Sequence, residues 1–235
     1  MTENKTMNKY HGFHHRGPSL FLFILLLLFL PFFFLVFAGS VMIAFTRLGI
    51  PPVLAYSLFW LSLIGSGINI PIKEWISEVE EIREIRFFGI NYRIPYHGMK
   101  KTVLAVNLGG AIIPIIIVVY ELLRLSNNPQ LIFNSMIAIM IVTIVCKIFA
   151  RPIKGLGIAI PAFIPPLAAA ITALTIGGEN PVVVAYISGT MGALIGADIL
   201  NLHKIKDLGA PIASIGGAGT FDGIFLSGII AVLLI

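Results

Sequence analysis

Ser214-Ile-Gly-Gly-Ala-Gly-Thr-Phe-Asp222-Gly-Ile-Phe-Leu-Ser-Gly228 sets one carboxylate and five glycines inside an otherwise apolar segment. An Asp at the centre of a membrane helix costs roughly 2.5 to 3.5 kcal/mol, so Asp222 needs a buried partner or a wet cavity. One segment earlier, Gly196-Ala-Asp198-Ile-Leu-Asn201 carries a second acid placed within an apolar run. These two segments decide how the rest of the chain is read.

The composition fixes the solvent. With 57% hydrophobic and only 11% charged residues, and a mean hydropathy of +0.97, the chain lacks the charged surface of a soluble domain. It reads as an all-α polytopic membrane protein. Crossing a bilayer takes about 20 apolar residues. Bounded by charge or by Pro/Gly turns, about seven runs qualify, at 19–45, 52–70, 102–123, 131–149, 158–176, 181–202 and 211–235. Residues 1–17 form a polar tail and 18–235 a single transmembrane domain. The first run is too long for a signal peptide and carries no small-residue cleavage site, so it reads as a retained helix, tilted or kinked, with Pro31 as the expected kink.

Orientation follows from the basic residues. With the N-terminus in the cytoplasm and the C-terminus outside, every Lys and Arg except Arg47 and Arg124 falls on the inner side. The net charge of +5 is then a matter of topology and needs no nucleic acid. The expected partner is the bilayer of a cell membrane; the oligomeric state is open.

The loop 73–101 carries two patterns. Trp75, Ile76, Val79, Ile82 and Ile85 recur at helical spacing among glutamates, with Ser77 and Glu80 in capping-box relation, which predicts an amphipathic interfacial helix. From Phe88 to Tyr96 the period is two, which predicts a short strand, either packed on the cytoplasmic face or offering an edge to an extended peptide.

Other features group around the acids. Asn107, Gly110 or Ala111, and Pro114 share a helical face in the third run. Pro161, Pro165 and Pro166 make an unbroken fifth helix unfavourable, and the glycines before Asp222 do the same for the seventh. In the sixth run Ala185, Gly189, Gly192 and Gly196 form a small-residue stripe for close packing, while Asp198 is expected on the opposite face with Asn201. Asn69, Asn107, the prolines, Asp198, Asn201 and Asp222 all fall in the cytoplasmic half, which one inward-facing polar cavity explains. No spacing of His, Cys or acid suggests a metal, and no Gly-rich loop with a Lys suggests a phosphate or other cofactor. His11, His14 and His15 read as tail, Cys146 as a buried apolar residue, and Glu121 with Arg124 as an interfacial pair.

Two carboxylates within hydrogen-bonding reach share a proton and titrate as a pair, the arrangement an aspartic protease uses to activate water and protonate a peptide carbonyl. Gly219-Thr-Phe-Asp222-Gly-Ile-Phe-Leu-Ser227 resembles the Gly-x-Gly-Asp motif, and the residues after it, of presenilin, signal peptide peptidase and prepilin peptidases, with Phe221 in place of the second glycine. In the presenilin group the other catalytic aspartate lies in the preceding helix, where Asp198 stands here; that group's Pro-Ala-Leu element is similar to Pro161-Ala162-Phe163. The resemblance implies catalysis by Asp198 and Asp222 on a transmembrane peptide. Gly219, Thr220, Phe221, Gly223, Asn107, Asn201, Pro161, Pro165 and Pro166 would then support or bind substrate. As a whole, with Val106-Asn-Leu-Gly-Gly, Pro161-Ala-Phe-Ile-Pro-Pro, Gly196-Ala-Asp and the Ser214–Gly223 stretch, the chain is similar to an uncharacterised family of prokaryotic membrane proteins, which implies a fold and no activity. Two readings stand beside the protease. One is a proton- or ion-coupled carrier using the same aspartates. The other is a scaffold whose acids clamp helices, Asp198 to Asn201 and Asp222 to Thr220 or Asn107.

Overall fold

The computed structural model describes residues 20–87, 90–153, 157–205, 210–217 and 223–235. The histidines of the tail lie outside them. The chain divides into two units at Gly39. The first contains most of helix α1 (Leu20–Arg47), which continues through Pro31. Its Phe29, Phe32 and Phe33 rings stack on one another with centroids 5.9 to 6.5 Å apart. Its large apolar side chains from Phe23 to Val36 are exposed, as a lipid-facing span requires.

The second unit, Ser40–Ile235, is a helical bundle closed at one end by a small sheet. After the end of α1 come α2 (Pro52–Gly65), β1 (Asn69–Phe87), β2 (Ile90–Asn107) and a π turn (Leu108–Ile112) that runs into α3 (Ile113–Arg124). There follow α4 (Pro129–Phe149), the short hairpin β3 (Arg151–Ile153) and β4 (Gly157–Ala159), α5 (Ile164–Ile176) and α6 (Pro181–Ala193). A second π turn (Leu194–Asp198) and a 3₁₀ turn (Ile199–Asn201) carry α6 into α7 (Leu202–Ile205), before β5 (Ile212–Ile215) and α8 (Gly223–Leu233).

Among the described residues three helical stretches are long and apolar enough to cross a membrane: Phe23–Arg47, Pro129–Phe149 and Pro181–Ile205. The last two start alike. Asn128 and Asn180 accept the backbone N–H of Leu131 and Val183, and Pro129 and Pro181 occupy the first turn, where a missing N–H costs nothing. The other apolar runs yield shorter helices. α2, α3, α5 and α8 hold 14, 12, 13 and 11 residues, about 16 to 21 Å at 1.5 Å per residue, well short of a hydrocarbon core of about 30 Å.

Three of the shortfalls, in α3, α5 and α8, have a local cause. Thr102–Asn107, expected to begin the third span, belongs to β2: its β-branched Val103 and Val106 lie in the ladder between β1 and β5. In the expected fifth span Gly157–Ala159 pairs with Arg151–Ile153, and the helix starts only at Ile164. Pro165 and Pro166 sit in its first turn, so these prolines open α5 and do not break it. The seventh segment is interrupted as expected, with β5 first and α8 from Gly223.

The amphipathic helix expected over Trp75–Ile85 is a strand. Asn69–Phe87 pairs antiparallel with Ile90–Asn107 in continuous register from Lys73↔Leu104 to Phe87↔Ile90. Spacing of three fits a helix face, but Ile76, Val79, Ile82 and Ile85 are β-branched, and the neighbouring strand pairs the backbone groups that β1 turns toward it; the cross-strand ladder wins over helical periodicity. Of the strand predicted at 88–96, residues 90–96 form part of the longer β2, and 88–89 lie outside the described residues. β5 joins β2 in parallel, Val103↔Ile212 to Val106↔Ile215, giving the order β1-β2-β5.

The small-residue stripe of α6 packs as expected. A Cβ on Gly192 would strike Val142 of α4, one on Gly196 would meet Cys146, and one on Gly189 would stand 3.1 Å from the carbonyl oxygen of Ser227 in α8. α6 is thus the bundle's central post, and Cys146 is buried against it. At the end of the bundle away from the sheet, Glu121 is 1% exposed and accepts both its hydrogen bonds from Arg124 Nη1, at 3.0 Å each. The same nitrogen donates to the carbonyl of Leu48 at 2.6 Å, so this pair ties α3 to the end of α1. Arg47 does the equivalent for α8, donating to Val232 O.

Candidate functional site

Where α2, the π turns and β5 meet, buried amides and hydroxyls form one chain of hydrogen bonds. Asn107 is its hub. It is fully buried at the end of β2, and its Oδ1 accepts Gly110 N at 2.7 Å, capping the first π turn. Its Nδ2 donates to Ser66 O at 2.7 Å and to Asn69 Oδ1 at 3.1 Å. Asn69 Oδ1 also accepts Ser214 Oγ at 2.6 Å, which fastens β5 to the start of β1. Ser62 Oγ donates to Gly109 O at 2.7 Å, and Gly109 lies so close to Ser62 and Ser66 that no Cβ fits.

Asn107→Ala removes three hydrogen bonds and leaves Gly110 N and Ser66 O without these partners in a buried place. We expect it to lower unfolding free energy by about 3 kcal/mol, read as a shift of the denaturation midpoint in detergent.

Asp198 enters from the other side. It closes the second π turn, half-buried, and its Oδ2 accepts the N–H of Gly216 at 3.0 Å. Gly216 and Gly217 follow β5 with φ of +82° and +86°, a conformation glycine adopts freely. A Cβ on Gly216 would stand 2.6 Å from Ala111 Cβ and 2.7 Å from Ala111 N. The Gly216 turn is therefore wedged between the two π turns, with Gly110-Ala111 on one side and the Asp198 carboxylate on the other. π turns arise where an extra residue widens a helix, and they recur at functional sites.

Asp198, Ser214, Ile215 and Gly217, with Gly157, Ile158 and Ile205, line a cavity of about 120 Å³. It has room for about four water molecules at roughly 30 Å³ each. One rim is β5, which pairs with β2 along one edge only among the described residues. A carboxylate facing water beside a strand edge can take a proton from that water while extended backbone lies alongside.

The expected site residues divide. Asn107 and Asp198 reach this network. Asn201 does not serve it: its Nδ2 turns back to Gly196 O and Ala197 O at 3.2 and 2.9 Å, and its Oδ1 accepts Lys147 Nζ at 2.8 Å. The π turn and the 3₁₀ turn rotate Asn201 away from the helical face it would otherwise share with Asp198. Pro161 borders a separate groove with Phe149, Arg151 and Ile164, and Pro165 and Pro166 are buried in the first turn of α5. Gly223 opens α8, exposed, with no atom within 4 Å of a Cβ placed on it. Asp222, Gly219, Thr220 and Phe221 lie outside the described residues, in the stretch that joins Gly217 of the cavity wall to Gly223. Ser62, Ser66 and Ser214 were not among the expected site residues; hydroxyls in apolar runs give no signal until their partners are in place. Among the described residues no three His, Cys, Asp or Glu side chains gather as a metal site would require.

Comparison with known proteins gives one match. A family model described as "Protein of unknown function (DUF1614)" covers residues 63–234, which takes in the ribbon, both π turns and the Asp198 cavity. No curated protein and no solved structure matches the chain.

Proposed function

The chain belongs to the DUF1614 family, whose activity must therefore be read from the site, and we propose that it is an intramembrane aspartyl protease that cleaves a transmembrane peptide. One observation carries this reading: Asp198 and β5, whose second edge no strand pairs among the described residues, line the same cavity. The second acid is Asp222, five residues beyond the Gly217 that borders this cavity. One carboxylate takes a proton from water as the oxygen attacks the peptide carbonyl; the other, protonated, gives its proton to the carbonyl oxygen. Collapse of the tetrahedral intermediate returns an amine and a carboxylic acid, with one water consumed. The substrate is a locally unwound membrane span laid along β5. The helices cross the membrane with the sheet end, and its Lys and Arg, in the cytoplasm.

A second reading is favoured by the four short helices and the interrupted backbone beside a carboxylate, features that discontinuous-helix carriers use for ion sites. Paired cysteines separate the proposals. In a Cys146→Ala background, Asp198→Cys with Asp222→Cys is expected to cross-link in native membranes, since a disulfide needs Cα atoms within about 7 Å. If both cysteines react with a soluble maleimide yet no bridge or short bis-thiol link forms, the dyad is gone. Asp198-dependent proton or cation flux in proteoliposomes, with no peptide cleavage, would then establish the carrier.

A further inference from the structure

Helix α4 ends beside a groove that the Asp198 site does not use. Phe149 closes the helix, Arg151 and Ile153 follow on β3, Ala159 and Ile160 come from the end of β4, and Ile164 opens α5; between them lies a space of about 540 Å³. That volume is typical of a ligand site, which runs to roughly 300 to 1,000 Å³. Five of these six side chains are hydrocarbon, and Phe149 and Ile153 are 44% and 43% exposed. The sixth is a guanidinium. Arg151 is exposed, and among the described residues its side chain has no hydrogen bond, ion pair or ring contact. Lys147, one turn back on α4, is engaged elsewhere: its Nζ donates to Leu200 O at 2.6 Å and to Asn201 Oδ1 at 2.8 Å.

Depth decides what covers such a groove. α4 is one of the membrane-length helices, and its 21 residues reach about 32 Å at 1.5 Å per residue. Its last residue therefore stands where hydrocarbon gives way to headgroups. At that level an apolar groove meets acyl chain, and an unpaired guanidinium at its rim meets lipid phosphate. α5 begins at the same groove without a side-chain cap, so the positive end of its dipole adds to the field of Arg151.

We propose that this groove binds one anionic glycerophospholipid. Its phosphodiester pairs with Arg151, to which a planar guanidinium is well matched, and the upper part of an acyl chain lies on Phe149, Ile153, Ile160 and Ile164. β4 separates the lipid from the Asp198 cavity: Ala159 borders the groove and Ile158 the cavity, on opposite faces of the strand. The lipid thus backs the wall that faces Asp198. Its binding does not depend on the protease reading.

Native mass spectrometry of the detergent-solubilised protein, titrated with dioleoylphosphatidylglycerol or dioleoylphosphatidylcholine, tests the site. The unmodified protein is expected to hold one phosphatidylglycerol about five-fold more tightly than phosphatidylcholine. Arg151→Gln should erase that preference without unfolding the protein, because the side chain is exposed. Lys101→Gln removes an equal charge from an exposed ion pair with Glu74 and should keep the preference. Hydrogen exchange then places the lipid: phosphatidylglycerol is expected to slow exchange across residues 149–161 at least about three-fold in the unmodified protein and not in Arg151→Gln. Equal affinity for the two lipids would overturn the proposal, as would equal losses in the two Gln variants or protection confined to other segments. So would displacement of phosphatidylglycerol by an equal concentration of glycerol phosphate, which would make this a site for a free anion with no use for the groove.

Discussion

Asp198→Asn is expected to lower cleavage of a transmembrane reporter peptide by about a thousand-fold or more while leaving the protein folded. The carboxamide has the same shape, and its oxygen still accepts the Gly216 N–H that Asp198 Oδ2 accepts at 3.0 Å. What it loses is the proton. General acid–base catalysis contributes about 10² to 10⁴-fold per group, and a pair that shares one proton fails as a unit. Asp222→Asn is therefore expected to be as damaging as Asp198→Asn, and the double variant no worse than either. Single-turnover cleavage by purified protein in bicelles reads all three. Cleavage within ten-fold of the unmodified protein in Asp198→Asn would sink the assignment.

Gly216→Ala is expected to be the most disruptive single methyl in the sheet region. Its φ of +82° costs an Ala about 1 to 2 kcal/mol. The new Cβ also falls 2.6 Å from Ala111 Cβ and 2.7 Å from its backbone nitrogen, and such overpacking against backbone costs about 1 to 3 kcal/mol more. Together these put the loss at about 4 kcal/mol, visible as a lowered midpoint in chemical denaturation. Because the same residue donates to Asp198, cleavage should fall even at temperatures where the variant stays folded. Gly223→Ala is the internal comparison, since its Cβ would meet nothing within 4 Å at the start of α8. It should unfold within about 1 kcal/mol of the unmodified protein. Equal midpoints for the two alanine variants would contradict the wedge described for Gly216.

Among the described residues apolar run length located every helix but the one-turn α7, which falls past the end of the sixth run, because burial of hydrocarbon dominates in a bilayer as in a core. It overstated their lengths for a physical reason. Hydropathy does not distinguish Val103–Val106 in a ladder from the same residues in a helix, nor see that Pro165 and Pro166 serve as well to begin α5 as to break it. The acid at 198 was legible because a charge in an apolar run needs a reason. Asn107 was legible for the same reason, although its actual work, three hydrogen bonds that hold β2, α2 and the first π turn, was not. Asn201 misled because an ideal helix was assumed where two non-α turns intervene. Most instructive is Trp75–Ile85, whose spacing of three satisfies a helix while its β-branched residues suit a strand. Only the presence of the neighbouring ladder, fifteen consecutive pairs from Lys73↔Leu104 to Phe87↔Ile90, would have decided it, and that is a tertiary fact.

The widened turn at Leu194–Asp198 makes the sixth helix out of phase with itself. A π turn holds one residue more than the α turn it replaces, so everything beyond it is rotated by about 100° relative to Tyr186, Gly189 and Gly192. Chain length at this point is thus an angular variable: deleting one residue between 194 and 198 would not simply shorten the post but swing Asp198 off the cavity wall, and a compensating insertion placed beyond Asn201 would not swing it back. For this segment an indel, more than any substitution, is the change that separates fold from site.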